Sequence, residues 1–257
     1  MTTIRQSPND LLAALPLVDF ELLCARLKPV DLRFGQVLVE AGGPLKLVYF
    51  PHDGIISSMV SLGQGEAIEV AMVGCDGVFG GSAALFGGTS PTAAVVRYPG
   101  KASVIDVAHF RTVAELSAPL RAALMQKQCI QTMQAEQTVA CNASHSVEAR
   151  LCRRLLQSRE LSGSDRLPLT QDMMAQMLAV QRNTISLVAH ALQHAGVIRY
   201  SRGHLEITNL DGLIRRSCEC YDADHAHLSN ASVSRGDPRQ RVRNRGDHRM
   251  ADQRSPS

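Results

Sequence analysis

Glycine is distributed very unevenly along this chain of 257 residues. Of 19 glycines, 13 fall between Gly35 and Gly100, and none falls between Lys101 and Ser162. A glycine supplies left-handed backbone at little steric cost, so dense glycines mark tight turns. Between them lie short apolar runs: Gln36–Val39, Leu47–Phe50, Ile55–Val60, Ile68–Val73, Ala93–Val96 and Ala102–Val107. Each run is rich in β-branched residues and closes on Gly, Pro or Asp. That pattern predicts a compact all-β barrel or sandwich. Ahead of it, the segments from Asn9 and from Phe20 have helical periodicity and are expected to cover one end.

The glycine-free stretch has the opposite character. Pro119 suits a first helical turn, and neither Gly nor Pro follows until Gly163. The spacing predicts one helix of some 25–30 residues, about 40 Å long at roughly 1.5 Å per residue. Ala123, Ile130, Gln137 and Ser144 fall seven apart, as do Gln126, Met133, Ala140 and Val147. Such a seam fits either packing on the chain's own barrel or a loose dimer seam. The heptads alone do not choose between the two.

The most informative segment runs from Leu169 to Leu192. Thr170 can cap a helix that buries Met174, Ala175 and Leu178. A break at Ala179-Val180-Gln181 precedes a second helix with Ile185, Val188 and Leu192 facing inward. Two short helices across a three-residue turn predict a helix-turn-helix. The following stretch, Gly196 to Thr208, reads as two strands around Ser201-Arg202-Gly203-His204, the wing of a winged helix. The alternative is two amphipathic helices matching this spacing by chance; the wing and the local charge favour the DNA-binding reading. Residues 147–216 carry ten Lys/Arg against six Asp/Glu, whereas residues 1–146 carry ten against twelve. A polyanion would therefore meet the second half.

Composition excludes several classes. Hydrophobic residues make up 45% and charged residues 20%, enough for a packed core. No apolar run approaches the roughly 18 residues that span a bilayer. No secretory leader is expected at the start, and seven cysteines read as reduced thiols, so a cytoplasmic location is expected. The sequence lacks G-x-S-x-G, G-x-x-x-x-G-K-[ST] and H-E-x-x-H, so no enzyme is expected. After Tyr221, arginines alternate with Asp, Asn, Gly and Ser from Arg235 to Arg254, a composition that predicts a disordered tail.

Taken in order, these parts resemble the CRP–FNR family of bacterial transcription regulators. The resemblance runs to about Cys220 and is carried by Leu32–Gly42, Val78–Phe86 and Thr170–Leu192. It implies an α+β chain with a jelly-roll-like β-roll sensor over 1–115, a dimerisation helix over 116–146, and a winged helix over 147–216. A tail over 217–257 would follow. It further implies a homodimer on a near-palindromic operator in double-stranded DNA, with RNA polymerase as a candidate partner and no membrane association. By position, Arg182, Asn183 and Thr184 match the start of the family's reading helix, and Leu187 stands where the family has an Arg. Arg182 suits a guanine edge or a phosphate, Asn183 suits adenine, and Ser186 is a further polar contact. Thr170, Gln171, Arg199, Arg202 and His204 are placed for phosphates.

Departures from the family narrow the signal. Cyclic-nucleotide-binding members hold the ribose with a Glu and the phosphate with an Arg-Ser pair; the matching positions here are Gly81 and Thr92-Ala93. Arg97 lies too far along its strand to substitute. Oxygen-sensing members carry clustered N-terminal cysteines, whereas Cys24 stands alone in the first 70 residues. Cys75 with His52 or His109 leaves a haem- or redox-sensing regulator open. A roll acting through protein partners is the remaining rival. Cys218-x-Cys220 with His225-x-His227 has zinc-ligand types but spans the onset of the tail, so a frayed helix end and no metal are expected. No cofactor is expected, and cofactor-binding residues are unknown.

Overall fold

The computed structural model describes residues 7–63 and 65–224. The chain divides into two compact units, residues 1–136 and 137–257. No helix among the described residues is long and apolar enough to cross a membrane.

Among the described residues, the first unit is built from seven strands in two antiparallel sheets. Strands β1 (Lys28–Leu32), β7 (Gly100–Asp106) and β3 (Leu47–Pro51) form one sheet in that order. The other runs β2 (Val37–Val39), β6 (Ala93–Tyr98), β4 (Ile55–Ser61), β5 (Ala67–Val73). Alternation sets the faces: in β6, Ala94, Val96 and Tyr98 are buried and the residues between them are half-buried. All six apolar runs expected from sequence are strands. The seventh strand, β1, carries no such signal, because Lys28-Pro-Val-Asp-Leu32 has no apolar run. Pro29 is tolerated there since β1 is an edge strand with one partner. Where the chain doubles back, a side chain on Gly100 would come within 2.5 Å of the Gly54 nitrogen, so only glycine fits.

Helices α1 (Asp10–Ala14), α2 (Leu17–Cys24), α3 (Gly81–Leu85) and α4 (Val107–Leu116) complete the roll. The core centres on Phe50 and Phe110, whose ring centroids lie 6.3 Å apart, with Leu12, Leu23, Ile56, Ile105 and Leu120 around them. Asn9 is fully buried and fully used: its side-chain oxygen accepts from Leu12 N–H, and its amide donates to the carbonyls of Pro51 and Gly77 at 2.9 and 2.8 Å.

Helix α5 spans Ala118–Ser144, 27 residues without a break. Of the two expected seams, the second stays open to solvent, with Gln126 and Ala140 exposed and Met133 and Val147 half-buried. Ile130 is buried and Ala123 and Gln137 are half-buried, so the first heptad set largely faces inward. Ala118, Ala122, Met125, Cys129 and Thr132 are exposed or half-buried instead, at spacings of three and four, with Met125 70% exposed. Apolar and small residues thus share the outward side of this stretch with Arg121, Gln126 and Gln128.

The second unit packs α6 (Val147–Ser162), α7 (Gln171–Leu178), α8 (Arg182–His194) and α9 (Leu210–Arg216) with a small sheet. That sheet orders β8 (Arg166–Leu167), β10 (His204–Ile207), β9 (Ile198–Ser201). Leu151, Leu155, Leu167, Met174, Ile185, Leu192, Leu205 and Leu213 form its buried interior. The packed chain extends past residue 216, which corrects the expected onset of the tail. Cys218, Cys220, Tyr221 and Asp224 are all buried. Asp224 anchors the segment: Arg153, 1% exposed, donates to both its oxygens at 2.8 and 3.1 Å, and Gln157 donates at 2.7 Å. The arginine-rich stretch 235–254, with His225 and His227, lies outside the described residues.

Candidate nucleic-acid interface and ligand cavity

Thr170 begins the interface as expected: its hydroxyl accepts from Met173 N–H at 3.1 Å and caps α7. Met173, Met174, Met177 and Leu178 turn inward, whereas Ala175, expected to be buried, is only half-buried. Ala179 closes α7 in the left-handed region, with φ of 53°, and its N–H donates to the Ala175 carbonyl. Arg150, buried on α6, reaches across to the Leu178 carbonyl and holds this end of the turn. Helix α8 follows α7 after the three residues Ala179-Val180-Gln181 and buries Ile185, Ala189 and Leu192; Val188 is half-buried.

The opposite face of α8 is open. Arg182, Asn183, Ser186 and Leu187 are exposed, Leu187 by 75%, and Thr184 is half-buried. Structure thus gathers the five residues expected to read bases along the first two turns of one helix. Gln171 stands beside them, its amide 3.5 Å from the Ser186 hydroxyl. Two neighbours carry no signal in the sequence. Asp172 sits 3.6 Å from the Arg182 guanidinium, so the leading arginine has an acidic partner. His190 is exposed one turn past Ser186 and extends the same open face.

The wing is a two-residue hairpin. Arg202 and Gly203 both take positive φ, 49° and 81°, the requirement of a type I′ turn. Arg202 and His204 are exposed at its tip and Arg199 along its flank. Arg199 pairs with Glu206 at 3.2 Å, and Arg166 from β8 approaches the same carboxyl at 3.4 Å. Strand β8, with only two residues, carries no sequence signal of its own.

Burial also corrects the charge argument. Arg150, Arg153 and Arg154 contribute to the basic excess of this region, yet all three are buried. Their guanidiniums serve internal carbonyl, carboxylate and amide oxygens. The surface is less basic than the sequence suggests.

The first unit holds a cavity of about 840 Å³ lined by β4, β5, α3 and α5 together with the loop before β6. Gly81 and Thr92 line it, with Ser82, Ser90, Gln128 and Thr132. No Lys, Arg or His occurs among the described residues that line it. Arg97 is absent from the lining; its guanidinium donates to Met59 Sδ at 3.4 Å, and the Glu69 carboxylate favours its charged form against burial. Both histidines named as candidate haem ligands have a polar side-chain neighbour, and the candidate cysteine is buried. The His52 ring nitrogen lies 2.9 Å from the Ser103 hydroxyl, and Cys75 is buried with its carbonyl accepting from Asp10 N–H. His109 stands 3.8 Å from Asp106 on the surface.

Residues 149–216 match the family model of the Crp-like helix-turn-helix domain. A transcriptional regulator of the CRP family from Thermus thermophilus superposes with a TM-score of 0.63 at 16% identity, over 73% of this chain and 96% of that one. FixK2 from Bradyrhizobium japonicum gives 0.63 at 17%, over 75% and 98%. A CRP/FNR-family transcriptional regulator, also from Thermus thermophilus, gives 0.62 at 21%, over 74% and 98%. A comparison with curated proteins found no match.

Proposed function

We propose that this chain is a dimeric, sequence-specific DNA-binding regulator of the CRP–FNR family without catalytic activity, a reading supported by the match of residues 149–216 to the Crp-like helix-turn-helix domain and by a fold shared with regulators of that family. The observation that carries this reading is the open face of α8, where Arg182, Asn183, Ser186 and Leu187 are exposed while Ile185, Ala189 and Leu192 anchor the helix. A helix presented in this way fits the major groove with its N-terminal residues against base edges.

Within that reading the side chains divide by reach. Asn183 can pair with adenine N6 and N7, and Arg182 with guanine O6 and N7 once it leaves Asp172. Thr184 and Ser186 add short polar contacts, and Leu187 meets a thymine methyl. Thr170, Gln171, Arg199, Arg202 and His204 hold phosphates and set register without specifying sequence. The outward line of Ala118, Ala122, Met125, Cys129 and Thr132 on α5 is the surface through which two chains associate, placing two reading helices on a near-palindromic site. Cytoplasmic location, with RNA polymerase as a partner, follows from this role.

The roll's cavity is not a cyclic AMP site in this reading. An anionic phosphate there would find no cationic side chain among the described lining residues, and a buried unpaired charge is strongly disfavoured. Genomic footprinting at a salt concentration where specific regulators still bind tests the DNA role. Protected near-palindromic segments are expected, and uniform, sequence-blind binding would overturn it. Calorimetric titration with cyclic AMP tests the cavity; micromolar affinity would refute the assignment.

A further inference from the structure

We infer that Cys141, His145, Cys218 and Cys220 form a structural zinc site within the second unit. The four side chains come from two places far apart in sequence. Cys141 and His145 are one helical turn apart at the end of α5, with the His145 N–H donating to the Cys141 carbonyl at 3.0 Å. Cys218 and Cys220 follow α9. Their ligand atoms all lie within 4.8 Å of one another, the one such group of three or more among the described residues.

Two opposite edges of the group have the length a tetrahedral zinc centre needs, and the other ligand atoms lie within 4.8 Å. With Zn–S near 2.3 Å and Zn–N near 2.0–2.1 Å, ligand atoms should be about 3.6–3.8 Å apart. The Cys141 and Cys218 sulfurs are 3.5 Å apart, and Cys220 Sγ is 3.7 Å from His145 Nδ1. Three sulfurs and one nitrogen leave no open position, so the centre is structural rather than catalytic.

The surroundings complete the case. His145 presents Nδ1 to the sulfurs, and its Nε2 donates to the Glu219 carboxylate at 3.0 Å, the outer partner that fixes a ligating imidazole. Gln137 donates an amide N–H to Cys220 Sγ at 3.0 Å. Arg153 lies against Cys141. As each thiol gives its proton to solvent, three thiolates and one Zn²⁺ leave a single negative charge, beside a guanidinium that is shared with Asp224. A disulfide between Cys141 and Cys218 would use two of the four groups and give no role to His145, Glu219 or Gln137. The metal ties the end of α5 to the segment after α9.

Metal analysis of the full chain, purified under reducing conditions, tests this directly and without DNA. One zinc per chain is expected, and Co²⁺ exchanged for it should show thiolate charge transfer with the strong visible bands of a tetrahedral centre. Cys220→Ser and His145→Ala should lose the metal, and Glu219→Gln should weaken binding by about 10–100-fold. Cys24→Ser, and the double change His225→Ala with His227→Ala, should keep it. Glu219 is largely solvent-exposed, so its variant remains informative if a cysteine variant fails to fold. Absence of zinc, an octahedral cobalt spectrum, zinc retained in both Cys220→Ser and His145→Ala, or a Cys141–Cys218 disulfide in the reduced preparation would overturn the site.

Discussion

Helices α6 and α8 sit in the same unit and both carry arginine, yet they use it in opposite ways. On α6, Arg150, Arg153 and Arg154 point inward to a helix carbonyl, a carboxylate and an amide. On α8, Arg182 stands on the surface with Asp172 as its exposed partner. In sequence the two sets are alike, and both count toward the positive charge of residues 147–216. Packing separates them: α6 is covered nearly all round, so its cations must be satisfied internally. A polyanion can meet only the second set. Charge counted along a chain therefore measures attraction for DNA only after the buried ion pairs are removed.

That contrast can be broken most forcefully at Asp224. Asp224→Ala strands the buried Arg153 guanidinium and should cost about 3–5 kcal/mol of folding stability by urea denaturation. Replacing both partners, Arg153→Met with Asp224→Leu, should recover much of that loss, because two desolvated charges disappear together. If the double variant is no better than the single, the pair contributes more than mutual compensation.

On the outward helix the loss should fall on DNA instead. Asn183→Ala should cost on the order of 1–3 kcal/mol of operator affinity, relax preference at one base pair, and leave the urea midpoint unchanged. A fall in stability with no change in sequence preference would move Asn183 to the inward class. Arg202→Ala, at the wing tip, should weaken all sequences about equally and reduce the slope of log affinity against log salt by about 1. The smallest of these effects is expected at Asp172. Asp172→Ala removes an exposed pair and should tighten DNA binding by under about 1 kcal/mol, read by fluorescence anisotropy. Weaker binding would show that Asp172 orients Arg182 rather than restraining it.

Much of the architecture is legible in sequence because it rests on local rules. Dense glycine marks the turns of the roll, the glycine-free stretch marks α5, and Thr170 with Arg202-Gly203 marks the ends of the reading module. The reading face follows from the inward period of Ile185 and Leu192. What escapes is set by distance along the chain. Cys141 and Cys218 are 77 residues apart, so nothing near Cys218 points to α5 as a source of ligands. In sequence, His225 and His227 are the nearer candidates. The outward line of α5 escapes for another reason. Small residues suit either face, and only packing against the roll decides that Ile130 turns in and Met125 turns out. Strand β1 escapes because its hydrogen bonds to β7 hold it, and its side chains carry no alternation.

The left-handed turn at Ala179 bears on how this unit can drift under mutation. An alanine in that conformation costs roughly 1–2 kcal/mol in the folded state. A glycine there would shed the penalty but give the unfolded chain more freedom, which returns about 0.4–1 kcal/mol. Ala179→Gly should therefore leave the melting temperature unchanged or raise it by a few degrees. The difference is between about 0 and 1.6 kcal/mol in favour of glycine, so either residue can hold the turn that leads into α8.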